Sequence, residues 1–163
     1  MSYAYEPSPA NFSCLKENLD LNSCNNVSVF ENAVSSKIGS IPLFVSGSES
    51  EHSIYPIPRS KSIMVPSITL EDIFRTNNLS QINFLKLDVG GTEYEILLTT
   101  PDDLLQRIEA IGVEYHDYFP HNHNYKELVK FLKTKGFDVS FNWPTQIGDL
   151  VKTGNILAIR KNF

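Results

Sequence analysis

The sequence predicts an α/β fold: a three-layer sandwich whose sheet is mostly parallel, closed by an antiparallel pair of strands at the C-terminal end. Three observations carry this expectation. Apolar, strand-like runs alternate with amphipathic, helix-like segments along most of the chain. Phe84-Leu85-Lys86-Leu87-Asp88-Val89 has the pattern of a strand buried on both faces. Gly90-Gly91 then allows a tight turn, and Thr92 with Glu95 reads as a capping box that opens a helix. Finally, Phe137–Phe141 alternates and Ile156–Arg160 is apolar, so the two are expected to pair antiparallel at one edge. With 163 residues and 41% hydrophobic content, the chain is long enough to bury a core as a single domain over residues 1–163.

Taken in order, Tyr3-Ala4-Tyr5 ends a strand, and Glu6-Pro7-Ser8-Pro9 turns into a helix. Ser8 is placed to cap that helix and Pro9 suits its first position. Phe12, Leu15 and Leu19 give it an apolar stripe, which fades at Leu21-Asn22. Val27–Glu31 is the next strand, continued from its carboxyl end by Asn32–Ser35. Ile41–Val45 returns as a short edge strand, the setting in which Pro42 is tolerated. Residues 46–62 are rich in Ser and Glu, contain Pro56 and Pro58 and show no period, which predicts a mobile loop.

Met64–Ile68 is extended. Thr69 then caps a short helix through Leu70, Ile73 and Phe74, ending near Asn77-Asn78. After the segment around Asp88, Thr100-Pro101-Asp102-Asp103 starts another short helix through Leu104, Leu105 and Ile108. Ala110–His116 is a second buried strand. Tyr125, Leu128, Val129 and Leu132 form one face of an amphipathic helix, with Lys130, Lys133 and Lys135 toward its end and Gly136 as its stop. Residues 142–153 read as irregular.

A formal net charge of −5 argues against a nucleic-acid or anionic-membrane surface, either of which needs clustered Lys and Arg. No apolar run approaches membrane-spanning length, and the N-terminal residues lack the basic and apolar regions of a signal peptide, so the expected location is cytoplasmic. Cys14 and Cys24 fit no zinc or redox spacing and are expected to be free thiols.

Three segments together resemble the FkbM family of S-adenosylmethionine-dependent methyltransferases. They are Ala4–Phe12 with Leu15 and Asn18, then Thr69-Leu70-Glu71-Asp72, then Phe84–Glu93 with Val113-Glu114-Tyr115-His116. Order and approximate spacing match over nearly the whole chain. The resemblance implies a Rossmann-like methyltransferase sandwich that moves a methyl group from S-adenosylmethionine, usually to an oxygen of a small molecule or sugar. It also implies roles for particular residues: Glu6 holds the ribose hydroxyls, a task suited to a carboxylate that accepts two hydrogen bonds, while Asn32 and Ala33 flank the adenine.

The family's cofactor signature begins with a strand and a Gly-rich turn upstream of the Glu-Pro segment, and nothing precedes Met1 here. The expectation is therefore an N-terminally truncated sheet lacking its central strand. Exposed strand edges would then favour a homo-oligomer. Gly90 stands where the family has Glu in an Asp-Val-Glu-Gly run, which leaves Asp88, Glu93, Glu114 and His116 as the catalytic candidates. Asp88 sits at a carboxyl strand end, where open α/β sheets place ligands; it is expected to orient the acceptor or the methionine amino group. His116 is suited to general-base work because its ordinary pKa lies near working pH.

Two other chemistries compete. Gly90-Gly91 before a helix suggests an anion cradle, but there is no GxGxxG or GK[ST], and Asp88 and Glu93 would repel phosphate. His116, His121 and His123 with Asp117 and Glu114 suggest a metal, but they lack helical ligand spacing, so no metal is expected. The non-enzyme alternative is a degenerate, non-catalytic scaffold of the same fold that acts as an interaction module or needs a partner to complete its sheet.

Overall fold

The structure, a computed structural model of the chain, describes residues 1–45, 52–56, 60–118, 124–147 and 151–161. It divides into two units, Met1–Thr69 and Leu70–Phe163.

In the first unit β1 (Ser2–Tyr5) leads through Glu6-Pro7-Ser8 into α1 (Pro9–Leu21) and then β2 (Val27–Phe30). The two strands are parallel, with Tyr5 opposite Phe30 and the two rings stacked at 4.8 Å. Pro9 occupies the start of α1 as expected, yet the Ser8 hydroxyl makes no capping hydrogen bond. The backbone N–H of Ser8 instead donates to Glu6 Oε1 at 2.8 Å, so the turn is fixed by the carboxylate two residues earlier. The α1 stripe of Phe12, Leu15 and Leu19 is only half-buried.

A second sheet in this unit contains β3 (Ala33–Val34), β4 (Gly39–Val45), β5 (His52–Ser53) and β6 (Lys61–Ile68), in the order β3-β6-β4-β5. Ala33, Leu43 and Val65 form its apolar cluster. Three expectations change here. Asn32–Ser35 does not simply prolong the preceding strand, because β3 pairs in parallel with β6. β4 is not an edge strand, but β5 pairs only with Phe44 and Val45, so Pro42 lies outside that stretch and is tolerated. Within 46–62, His52–Ser53 and Lys61-Ser62 belong to strands, while residues 46–51 and 57–59 lie outside the described residues.

The second unit runs α2 (Leu70–Thr76), β7 (Ile82–Leu87), α3 (Glu93–Thr99), α4 (Asp102–Leu105), β8 (Ile108–Tyr118), α5 (Tyr125–Thr134), β9 (Phe137–Phe141), β10 (Thr145–Ile147) and β11 (Val151–Arg160). Its sheet has the order β10-β11-β8-β7, with β9 also on β11. The predicted C-terminal pair is present, since β9 and β11 are antiparallel with Ala158 opposite Val139.

The mostly parallel sheet is not. β7 and β8 are the parallel pair in this unit, and β8, β9 and β10 all meet β11 antiparallel. The fold is thus an α/β arrangement of helices with mixed, mostly antiparallel sheets. Ile108 opens β8 instead of continuing the helix before it, and the stretch expected to be irregular, 142–153, contains β10 and the start of β11.

The core of this unit is made by Ile96, Leu97, Leu105, Ile108, Ile111, Val113, Tyr115, Leu128, Leu132, Phe137 and Ile156, all fully or almost fully buried. α5 matches its prediction: Tyr125, Leu128, Val129 and Leu132 are its buried residues and Gly136 follows with φ 89°. Its cap, not expected from the sequence, is Asn124, whose Oδ1 accepts the Lys126 N–H at 3.0 Å. Phe84 differs. It is 56% exposed because its face of the sheet is uncovered: Leu157 and Ile159 of the interior strand β11, on the same face, are exposed as well. Cys14 and Cys24 are free and exposed. Among the described residues no helix is long and apolar enough to cross a membrane.

Candidate functional site

The parallel register of β7 and β8 sets Leu87 beside Val113, and both side chains are buried. Asp88 follows directly at the carboxyl end of β7, and Glu114 is the next residue of β8. Side chains alternate along a strand, so Glu114 and His116 share the face opposite buried Val113 and Tyr115. Strand pairing thereby brings three residues far apart in sequence to one place. Ligand-capable atoms of Asp88, Glu114 and His116 lie within 4.8 Å of one another.

Gly90 and Gly91, with φ of 62° and 123°, turn the chain from β7 toward α3 through a region of backbone space that side chains disfavour. The Thr92 hydroxyl makes no capping hydrogen bond, contrary to the capping-box expectation. Glu93, the first residue of α3, takes that part: its Oε1 accepts the Gly91 N–H at 3.1 Å. The same oxygen lies 2.7 Å from His116 Nδ1. Glu93 is completely buried, and its Oε2 has no hydrogen-bond partner among the described residues.

Burial by itself lowers the pKa of the His116 imidazole. The hydrogen bond with Glu93 and the charges of Glu93, Glu114 and Asp88 outweigh it, so the net shift is upward from 6.5. Asp88 is exposed, and its Oδ2 is 3.1 Å from Lys86 Nζ.

A second bond runs beside the first. Tyr94 donates its hydroxyl to Asp117 Oδ1, and Asp117 Oδ2 accepts the N–H of Tyr125 at 3.3 Å. Two successive residues of α3 are therefore tied to two successive residues of β8, and the start of α5 is tied to the same carboxylate. Burial and the bond to Asp117 hold the Tyr94 hydroxyl in its protonated form well above its ordinary pKa. Tyr94 was not singled out from the sequence, because a tyrosine on the buried side of a short helix looks like ordinary core.

Glu6, Asn32 and Ala33 belong to the Met1–Thr69 unit. Glu6 and Asn32 follow the carboxyl ends of the parallel strands β1 and β2. Glu6 Oε1 accepts the Ser8 N–H at 2.8 Å. Ala33 is buried in the β3-β6-β4 cluster, so only its backbone can border a ligand. His121 and His123 lie outside the described residues.

Comparison with known proteins gives one family match and a distant relative. The model of the methyltransferase FkbM domain matches residues 1–139. "Methyltransferase 1" of Beauveria bassiana (strain ARSEF 2860) is 25% identical over 162 residues, covering 86% of this chain. The chain spans 64% of that relative's length. No solved structure matches.

Proposed function

The chain belongs to the FkbM methyltransferase family, and from that premise we propose that it is an S-adenosylmethionine-dependent methyltransferase acting on a hydroxyl of a small molecule or sugar. The observation that carries the proposal is the Glu93–His116 pair, which joins the start of α3 to the carboxyl end of β8, with Asp88 and Glu114 beside it. The cofactor, when bound, supplies a methyl group on a positively charged sulfur, open to attack by an oxygen.

Oxygen attacks well only if its proton is removed. His116 is the group suited to take it, through Nε2, because Nδ1 is fixed by Glu93. The imidazolium that results is stabilised by Glu93, Glu114 and Asp88. Asp88, exposed at the strand end, orients the acceptor or the methionine amino group, which matters because alignment supplies much of the rate in a displacement of this kind. Glu6 accepts from the ribose hydroxyls through Oε2, and Asn32 with the Ala33 backbone borders the adenine.

The reading is tested by following S-adenosylhomocysteine release against a panel of sugars and small hydroxyl compounds. Acceptor-dependent release is expected, reduced by about 10²-fold or more in His116→Ala, the scale of a lost general base. Acceptor-dependent release that is indifferent to His116→Ala would remove the pair from the chemistry.

A further inference from the structure

Asp88, Glu114 and His116 offer two carboxylates and an imidazole whose ligand atoms all lie within 4.8 Å of one another. Ligands sharing one ion at bonds of about 2.1 Å stand roughly 3 to 4 Å apart, so small side-chain rotations close this set on a cation. A donor set of this kind suits a first-row divalent metal.

Glu93 supplies an independent observation. It is completely buried, Oε1 faces His116 Nδ1 at 2.7 Å, and Oε2 has no hydrogen-bond partner among the described residues. A buried carboxylate with an unmatched oxygen is costly unless positive charge stands nearby. A carboxylate on the far nitrogen of a histidine is also the usual partner of a metal-bound imidazole, since it fixes the ring and strengthens the donor. Lys86 Nζ, 3.1 Å from Asp88 Oδ2, is the one cation paired with the cluster in the described residues. Both partners of that pair are about half exposed, so the ammonium is readily displaced.

We propose that Asp88, Glu114 and His116 form a binding site for a divalent first-row cation, with Glu93 positioning His116. Three protein ligands leave coordination positions for water or for a hydroxyl. What the ion does there rests on the methyl-transfer reading and revises one part of it: a coordinated acceptor hydroxyl gives up its proton to water more easily, so in the metal-loaded chain His116 is a ligand, and its role as base belongs to the metal-free chain. In the sequence His116 groups with His121 and His123, whereas β7–β8 pairing sets Asp88 beside it.

The test is titration of Mn²⁺ into chelator-treated protein without cofactor, followed by electron paramagnetic resonance and calorimetry. One Mn²⁺ per chain is expected, with affinity reduced at least tenfold in Asp88→Asn and in Glu114→Gln, and about 10- to 100-fold in Glu93→Gln, the range of outer partners of metal ligands. Asp88 is exposed, so Asp88→Asn leaves the core intact and keeps the test independent of folding. No Mn²⁺ binding by the parent chain, or equal binding by the folded Asp88→Asn/Glu114→Gln double variant, would overturn the site. Because cofactor is absent, this failure is separate from failure of the methyl-transfer reading, which is measured by S-adenosylhomocysteine binding.

Discussion

Glu93 Oε1 lies 2.7 Å from His116 Nδ1, and this contact ties the first residue of α3 to the carboxyl end of β8. The oxygen that makes it also accepts the Gly91 N–H, so the glycine turn, the helix start and the imidazole are held by one atom. Replacing that carboxylate by an amide of the same shape isolates its charge. In chelator-treated Glu93→Gln, the His116 pKa followed by NMR should fall below the parent value, because burial still lowers it while the largest raising influence is gone. An unchanged value would mean that the pair does not control the ring.

The same pair makes stability depend on pH, with a definite sign. The folded His116 value is raised above the ordinary 6.5, so the stabilisation is fully present below about pH 6.5 and is lost as pH rises through the raised folded value. Urea midpoints of metal-free protein should decline across that window in the parent and stay flat in Glu93→Gln. A rise in the parent would reverse the assignment.

Tyr115 produces a second window at alkaline pH. Burial, with the charges of Asp117 and Tyr125, pushes its hydroxyl up to about 12 from an ordinary 10.0. Stability from the buried neutral phenol is therefore present below pH 10 and lost between 10 and about 12. Tyr115→Phe should weaken the alkaline loss in a denaturation series against pH.

Gly154 faces Tyr115 across the β8–β11 ladder, and a Cβ there would overlap the Tyr115 hydroxyl. Gly154→Ala should cost about 1–3 kcal/mol, the usual penalty for forcing atoms into a packed site. Equilibrium urea unfolding measures it, and a cost below about 0.5 kcal/mol would show that the ring moves aside freely.

Arg160 and Lys161 are adjacent cations with different surroundings. Arg160 donates to the carbonyls of Ile108, Lys135 and Leu105 and lies over the Phe137 ring at 4.2 Å. Lys161 makes an exposed pair with Asp138. Arg160→Met should destabilise by about 1.5–3 kcal/mol, the scale for hydrogen bonds to a charged group, whereas Lys161→Ala should change stability by under about 1 kcal/mol. Equal effects in a common unfolding assay would contradict this contrast.

Local pattern was enough where local physics decides. α5 could be read because its apolar stripe, the lysines toward its end and the Gly136 stop agree with one another. Asp88 and His116 could be read as carboxyl-end residues because the apolar runs before them mark strands. What failed depends on pairing between distant segments. Nothing near Phe84 states that its face of the sheet, shared with exposed Leu157 and Ile159, lies uncovered, so the pattern predicts burial on both sides. Nothing near Ala33 announces β6, and the antiparallel character of β11 is set by β8, some forty residues earlier. The cap of α3 failed for a subtler reason. Glu93 looks like an ordinary first-turn acid, and only its complete burial against His116 shows that it, and not Thr92, fixes the turn.

The central claim, use of S-adenosylmethionine, is tested most directly by calorimetric titration of the chain and of Glu6→Gln with S-adenosylhomocysteine. The amide retains an acceptor for the Ser8 N–H and removes the charge offered to the ribose. Saturable binding of one ligand per chain is predicted, weakened by more than tenfold in Glu6→Gln, which corresponds to about 1.4 kcal/mol or more. No binding by the parent chain, or the same affinity in both, would contradict it.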